Sequence, residues 1–233
     1  MNAKRLILSP QDRGGIGKSF VATLLYDYLT EAKVKLKTFD LDHANSTFKR
    51  LVPEAEFIHT DVDPNKLAVL DPLVGALASV DVVLVDNRAT GGSKLLTYIE
   101  DSRITDLQKA LQFDLVFVII AVDDRDAISQ AADVLDEYGK RVHWLVVKNY
   151  RDSTELRLFD DSDTRKRLKD FGAIEVEVPC LSEVTKNYLQ MFNLTVGKGR
   201  SSEKLHLLDQ SRCLRFHAYM QNQFDKAQKL LLP

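Results

Sequence analysis

The stretch "RLILSPQDRGGIGKSF" (residues 5–20) decides how the rest of the chain is read. Its apolar start, "RLILS" (5–9), has the composition of a buried strand. From Lys18 a helix is expected to residue 32, with Phe20, Leu24, Leu25, Tyr28 and Leu29 near one face. Between them lies the glycine-rich turn Gly14, Gly15, Ile16, Gly17. Such a turn lets backbone N–H groups point inward at phosphate oxygens, and the helix behind it offers its positive end to the same charge. Lys18 would then bridge the β- and γ-phosphates and Ser19 would ligate Mg²⁺. The plainer alternative is an ordinary strand–helix turn.

Outward from this stretch, short β-branched runs alternate with helical ones. Strands are expected at 34–40, 56–62, 81–86, 115–122, 142–147 and 173–179. "DVVLVD", "LVFVIIAV" and "VHWLVV" are continuously apolar, as in strands covered on both faces. Helices are expected over 64–79, 92–111, 125–139 and 162–171. The alternation predicts an α/β fold, a doubly wound, mostly parallel sheet flanked by helices on both faces. Residues 196–203, "VGKGRSSE", read as a linker before a final helix of about two dozen residues. The expected organisation is one domain over 1–195, with 196–233 as linker and a C-terminal helix docked on it.

Bulk properties narrow the function. In 233 residues, 45% hydrophobic and 28% charged, there is material for one large core. The net charge of −2 gives no global attraction to nucleic acid, so any such affinity must be local. Cys180 and Cys213 are far apart and lack metal-ligand spacing, which suits a reducing cytoplasm. The longest nearly apolar run is too short to span a bilayer, and no signal-peptide pattern precedes the first strand.

In an open parallel sheet, ligands gather at the carboxyl ends of the strands. Asp40 and Asp42, in "DLDHANSTF", leave the second expected strand together. They suit water beside a metal-bound γ-phosphate, or else a simple acidic turn. Asp86 ends the strand "DVVLVD", where a Mg²⁺ carboxylate is often found, or a helix N-cap. Ser19, Asp42 and Asp86 are therefore the candidate metal set.

Taken together, "RGGIGKS", "DLD" and "DVVLVD" resemble the deviant Walker A P-loop ATPases of the ParA/MinD family, whose pattern is KGGxGK[S/T]. The resemblance covers residues 4 to about 195. It implies that ATP and Mg²⁺ are the ligands, that Asp42 is the switch aspartate of hydrolysis and that Asp86 is the Walker B residue. It also places Asn149 against adenine, with Pro179 and Cys180 beside the base. Arg13 stands where the family has its signature lysine, which reaches across an ATP-dependent homodimer. "DLDHANSTF", "DVVLVDNRA" and "VPCLSEVTKNYLQMFNLT" look most like the TraL-type proteins of conjugative plasmids. The implied role is a slowly hydrolysing nucleotide switch that positions plasmid DNA, a DNA-bound adaptor or a conjugation complex.

Two residues depart from the family pattern. Asp12 replaces the usual first glycine, and a carboxylate beside polyphosphate repels it unless paired, for example with Arg13 or a lysine. Asp12 is therefore expected to act as a brake on binding or turnover. Arg13 is expected to serve in trans, or else to stay on Asp12 in its own subunit. Two other functions remain open: a dethiobiotin-synthetase-like ligase of the same fold, and a nucleotide-binding scaffold with negligible turnover. Nitrogenase-iron-protein-like chemistry is disfavoured, because neither cysteine is set to hold a cluster. "TRKRLKD" (164–170) could face DNA phosphates, although such runs are more often solvated faces. Phe216, Met220, Phe224, Ala227 and Leu231 form a stripe that suits packing on the body, or a membrane or partner contact. The five histidines show no metal spacing.

Overall fold

The computed structural model describes residues 3–43, 45–60 and 67–233. The chain runs β1 (Lys4–Leu8), α1 (Lys18–Glu31), β2 (Leu36–Asp40), α2 (Thr47–Leu51), β3 (Glu56–Phe57), α3 (Asp71–Gly75), β4 (Val82–Asp86) and α4 (Gly92–Asp101). It continues through α5 (Ile104–Leu111), β5 (Phe113–Ala121), α6 (Arg125–Tyr138), β6 (His143–Asn149), α7 (Arg157–Asp160), α8 (Asp163–Asp170) and β7 (Ile174–Val178). Helices α9 (Glu183–Met191), α10 (Val196–Gly199), α11 (Leu207–Asp225) and α12 (Gln228–Leu231) close it. The strands form one seven-stranded sheet in the order β3-β2-β4-β1-β5-β6-β7, and every pairing is parallel.

Alternation along the strands divides the core into two layers. Leu6, Leu8, Val83, Val85, Phe117 and Trp144 pack on one face with residues of α3, α4, α6 and α8. Ile7, Val82, Leu84, Val116 and Val147 face the other, against α1, α2, α9 and α11. Because both faces are covered, the strands have no polar side to show, which is why they read as continuous apolar runs. The chain crosses from one face to the other beside β1, which pairs with β4 on one side and β5 on the other. Its following helix α1 lies on one face and α4, after β4, on the opposite one. That divergence opens the crevice in which residues 10–19 lie.

Several expected elements are redrawn. The strand over 56–62 is a two-residue edge strand; its last positions, 61 and 62, lie outside the described residues. The helix over 64–79 begins outside them too, and from 67 onward is the short α3 between two 3₁₀ turns. The single helix over 92–111 is split where Arg103 takes a left-handed φ of 50°. The final helix breaks between Asp225 and Gln228, and α12 turns Leu231 back into the core. There the carbonyl oxygens of Lys229 and Leu230 accept hydrogen bonds from the buried Arg5 guanidinium at 3.1 and 3.0 Å.

The expected linker is instead the helical turn α10, packed into the core. Thr195 caps it, its hydroxyl accepting from Lys198 N–H at 3.2 Å. Val196 is buried, and Gly197 N–H donates to the buried Asp27 carboxylate at 2.7 Å. The stripe on the last helices is also core: Phe216, Met220, Phe224, Ala227 and Leu231 are all buried. The cations of α8 are largely spent on neighbours, Arg165 on Glu175 and Asp160, Lys166 on Asp163 and Arg167 on Asp136. Among the described residues, no helix is long and apolar enough to cross a membrane.

Candidate nucleotide site

The glycine loop leaves β1 and enters α1 through two left-handed glycines, Gly15 (φ 75°) and Gly17 (φ 101°). Only glycine adopts such angles without strain, so the turn requires these residues. Nothing lies within 4 Å of where a Cβ on Gly15 would point, and Gly14 and Gly15 are exposed. The loop is open on the side where phosphate would sit.

Two of the clefts that adjoin the loop take in most of the candidate residues. One, about 310 Å³, is lined by Gly17, Lys18, Ser19, Asp42, Asn87 and Arg151, among others. The other, about 180 Å³ and mainly apolar, is bounded by Phe20, Asn149, Pro179, Leu181 and Leu189. The candidate phosphate residues thus meet Ser19 and Asp42 of the candidate metal set at one cleft, with Asp86 buried and outside its lining, and the candidate base residues Asn149 and Pro179 line the next. Cys180 stands apart from them: it is exposed, with its thiol on the Leu181 carbonyl oxygen at 3.5 Å. Asn149 is fully buried and donates its amide to the Ile16 carbonyl at 2.9 Å. A Cβ at Gly17 would lie 2.6 Å from that same amide nitrogen.

Solved structures share this architecture. A MinD cell division protein from Aquifex aeolicus superposes with a TM-score of 0.53 at 13% identity, covering 94% of this chain and 97% of that one. This chain has the MinD fold. A plasmid partition protein from Borrelia burgdorferi B31, bound to AMPPNP, gives 0.55 at 12% identity, over 97% of this chain and 100% of that one. A nucleotide-binding protein from Archaeoglobus fulgidus, in complex with ADP, gives 0.52 at 15% identity, over 82% and 86%. No protein-family model matches the sequence, and no curated protein does.

On this MinD fold, the two departures from the family's loop pattern have visible partners. Arg13 is not the partner of Asp12, whose side chain is turned to the start of α4. Its carboxylate accepts from the N–H groups of Gly92 at 2.5 Å and Ser93 at 3.2 Å, and from the Ser93 hydroxyl. Its backbone carbonyl accepts from Thr90 N–H at 3.0 Å. Helix α4 begins at Gly91–Gly92 with no cap of its own, so Asp12 supplies that cap from a distant part of the chain. Arg13 turns the other way: its guanidinium pairs with Asp124, the N-cap of α6, at 2.7 Å and with Asp126, in that helix's first turn, at 3.6 Å. Its side chain stays 41% exposed, so the pair is solvated and replaceable.

The acidic residues divide into spent and unspent. Asp40 accepts from the N–H groups of Asp42 and Lys49, both at 2.8 Å. Asp42 accepts from the backbone and the side-chain amide of Asn45 at 3.2 and 3.0 Å. Asp86 is completely buried, and neither oxygen has a hydrogen-bond partner of ordinary geometry, with the Ser19 hydroxyl facing it. Burial pushes its carboxyl up to about 8; the Ser19 hydroxyl and Lys18 oppose that shift, and Asp40 and Asp42 add to it. Burial lowers the Lys18 ammonium, with Asp86, Asp12 and Asp42 favouring its charge, and it donates to the Arg13 carbonyl at 2.6 Å. An orphaned carboxylate beside a hydroxyl fits a hard cation that takes its remaining ligands from phosphate and water. Among the described residues there is no cluster of three or more His, Cys, Asp or Glu that would hold a metal unaided.

Three further residues hold the loop in place and were not singled out from the sequence. Gln11 is buried and pairs with both backbone groups of Ile120, at 2.7 and 3.2 Å. Gln130 accepts from Arg13 N–H at 2.8 Å, and Arg151 donates to the Gly15 carbonyl at 2.6 Å. The Asp12 contact with α4 did leave a signal in the sequence. The "TGG" opening of α4 carries no conventional capping side chain, so another segment had to supply one.

Proposed function

We propose that this protein is an ATP-binding nucleotide switch of the ParA/MinD type, slowly hydrolysing, that dimerises around ATP to position plasmid DNA or a conjugative-transfer complex. The observation that carries the reading is the buried Asp86 set beside Ser19 and Lys18, which themselves line the cleft at the open glycine loop. Such an arrangement is costly unless a ligand completes it. The ADP and AMPPNP bound in two solved structures with this fold support ATP as that ligand.

In this reading, the N–H groups of 14–19 and the start of α1 hold the phosphates. Lys18 exchanges its bond to the Arg13 carbonyl for phosphate oxygens. Ser19 and Asp86 would hold Mg²⁺, with Asp42 close by; the ion's contribution when bound is to neutralise charge developing on the β- and γ-phosphates. Asn149 and Pro179 border the space for the base, and Cys180 lies at its outer edge. Asp42 releases Asn45 to act on water, and residues 1–195 with the packed 196–233 behave as one unit. Arg13 leaves Asp124 and Asp126 for the phosphates of a second copy, a role suited to a planar, several-donor fork.

Calorimetry of ATP binding with Lys18→Ala is the first test. The loss of a charge-assisted contact should weaken affinity roughly 10–100-fold; unchanged affinity rejects the site. Light scattering with a slowly hydrolysed ATP analogue tests Arg13. Arg13→Ala should bind the analogue as a monomer, whereas wild-type dimerisation in that variant removes any role in trans.

A further inference from the structure

The phosphate cleft and the apolar base cleft are separate volumes, but they share part of their walls. Among the described residues, Gly17, Phe20, Thr47 and Arg151 line both. A nucleotide with its base in one cleft and its terminal phosphates in the other must pass this neck with its ribose and α-phosphate, the groups that join those ends. Arg151 is the charged member of the four. It lies just beyond the end of β6, and its side chain is 43% exposed. Its hydrogen bonds steady it without exhausting it. One terminal nitrogen donates to the Gly15 carbonyl at 2.6 Å; Nε donates to Asp152 at 2.7 Å, and the second terminal nitrogen donates to the same carboxylate oxygen. A guanidinium has five N–H groups, so two remain beyond these bonds. Asp152 lines neither of the two clefts, so it steadies the guanidinium from outside the neck.

We propose that Arg151 is a nucleotide-binding residue that pairs with the α-phosphate at the neck between the two clefts, an inference that rests on the nucleotide site proposed above. The planar fork suits a phosphate with two non-bridging oxygens, and the donors it needs are the two that Gly15 and Asp152 leave over. The α-phosphate is common to ATP, ADP and AMP. Arg151 therefore reads the phosphate attached to the nucleoside, whereas Lys18 and the glycine turn read the polyphosphate end. Because the same side chain also holds the Gly15 carbonyl, it ties the base-side end of the ligand to the loop that cradles the other end.

The test measures affinity for ATP and ADP by calorimetry, and for AMP by competition against ADP, in wild type, Arg151→Met and Arg151→Lys. Arg151→Met keeps an unbranched stem and removes the charge. It should weaken all three ligands by one common factor of about ten or more, as loss of a charge-assisted contact predicts. Arg151→Lys retains the charge without the fork and should lose less, again equally for all three. AMP separates the proposal from a bracing role through the Gly15 carbonyl, because it brings no β- or γ-phosphate to the glycine turn. Weaker ATP and ADP with unchanged AMP makes Arg151 a brace for the loop and overturns the proposal. A loss confined to ATP, unchanged affinity throughout, or loss of folding in both variants overturns it as well. So does a wild-type protein that binds ADP but not AMP. One that binds neither ATP nor ADP rejects the nucleotide site itself.

Discussion

Two glycine-rich stretches look alike in the sequence, "GGIGKS" at 14–19 and "VGKGRSS" at 196–202, and fold for opposite reasons. In the first, Gly15 and Gly17 are needed for their backbone angles, and the space beside Gly15 is empty. In the second, neither glycine has a left-handed φ. Both are glycine because a side chain has no room. A Cβ on Gly197 would be 2.7 Å from Asp27 Cγ, and one on Gly199 would be 2.6 Å from Leu189 Cδ2 and 3.1 Å from Cys213 Sγ. Glycine marks an open ligand cradle in one place and a close-packed junction in the other.

Substitutions should separate the two uses. The largest effect is expected at the junction: Gly199→Val drives a branched side chain into Leu189, Leu205 and Cys213. It should cost roughly 1–3 kcal/mol of stability by denaturant unfolding, with ATP affinity per folded molecule unchanged. A smaller and opposite pattern is expected for Gly15→Ala. Its added methyl meets no protein atom, so the fold should lose only about 1 kcal/mol from the strained angle. It does enter the phosphate cradle, and ATP binding measured by calorimetry should weaken more than the stability loss explains. If Gly15→Ala unfolds the protein and Gly199→Val only weakens ATP binding, the comparison is the wrong way round.

The smallest effect concerns Asp27, the partner of Thr195 at 2.6 Å and of Gly197 N–H. Burial raises its carboxyl above the ordinary value; Thr195, Gly197, His217 and Lys198 act against that. A raised folded-state pKa means that its contribution to stability is fully present below about pH 4 and is lost as pH rises through the folded value. Asp27→Asn should therefore flatten the dependence of unfolding free energy on pH above about 4. A steeper dependence in the variant would show that the hydrogen bonds outweigh burial.

Much of this architecture was legible because its signals are local. Apolar β-branched runs predicted the strands, and the Gly–x–Gly–Lys–Ser spacing predicted a glycine turn before a helix, which Gly15, Gly17 and α1 form. What was not legible depends on partners far along the chain. Asp12 meets Gly92 across 80 positions and Arg13 meets Asp124 across 111, so neighbouring opposite charges suggested a pair that does not form. The "VGKG" turn failed for a related reason. Composition shows that glycine is present, but only the packing of α1, α9 and α11 around it shows why. Asp86 was legible by position, while its complete burial beside Ser19 and Lys18 emerged only when the strands were assembled.

The grip of Asp12 on α4 has a mechanical consequence. Its carbonyl and carboxylate together hold residues 90, 92 and 93, while Gln11 and Arg13 on either side hold β5 and α6. Three consecutive side chains thus pin one short segment to opposite walls of the crevice, like an axle through two plates. A shift of residues 11–13 would have to carry the starts of α4 and α6 with it or break these contacts, so the two helix ends are geared to the loop.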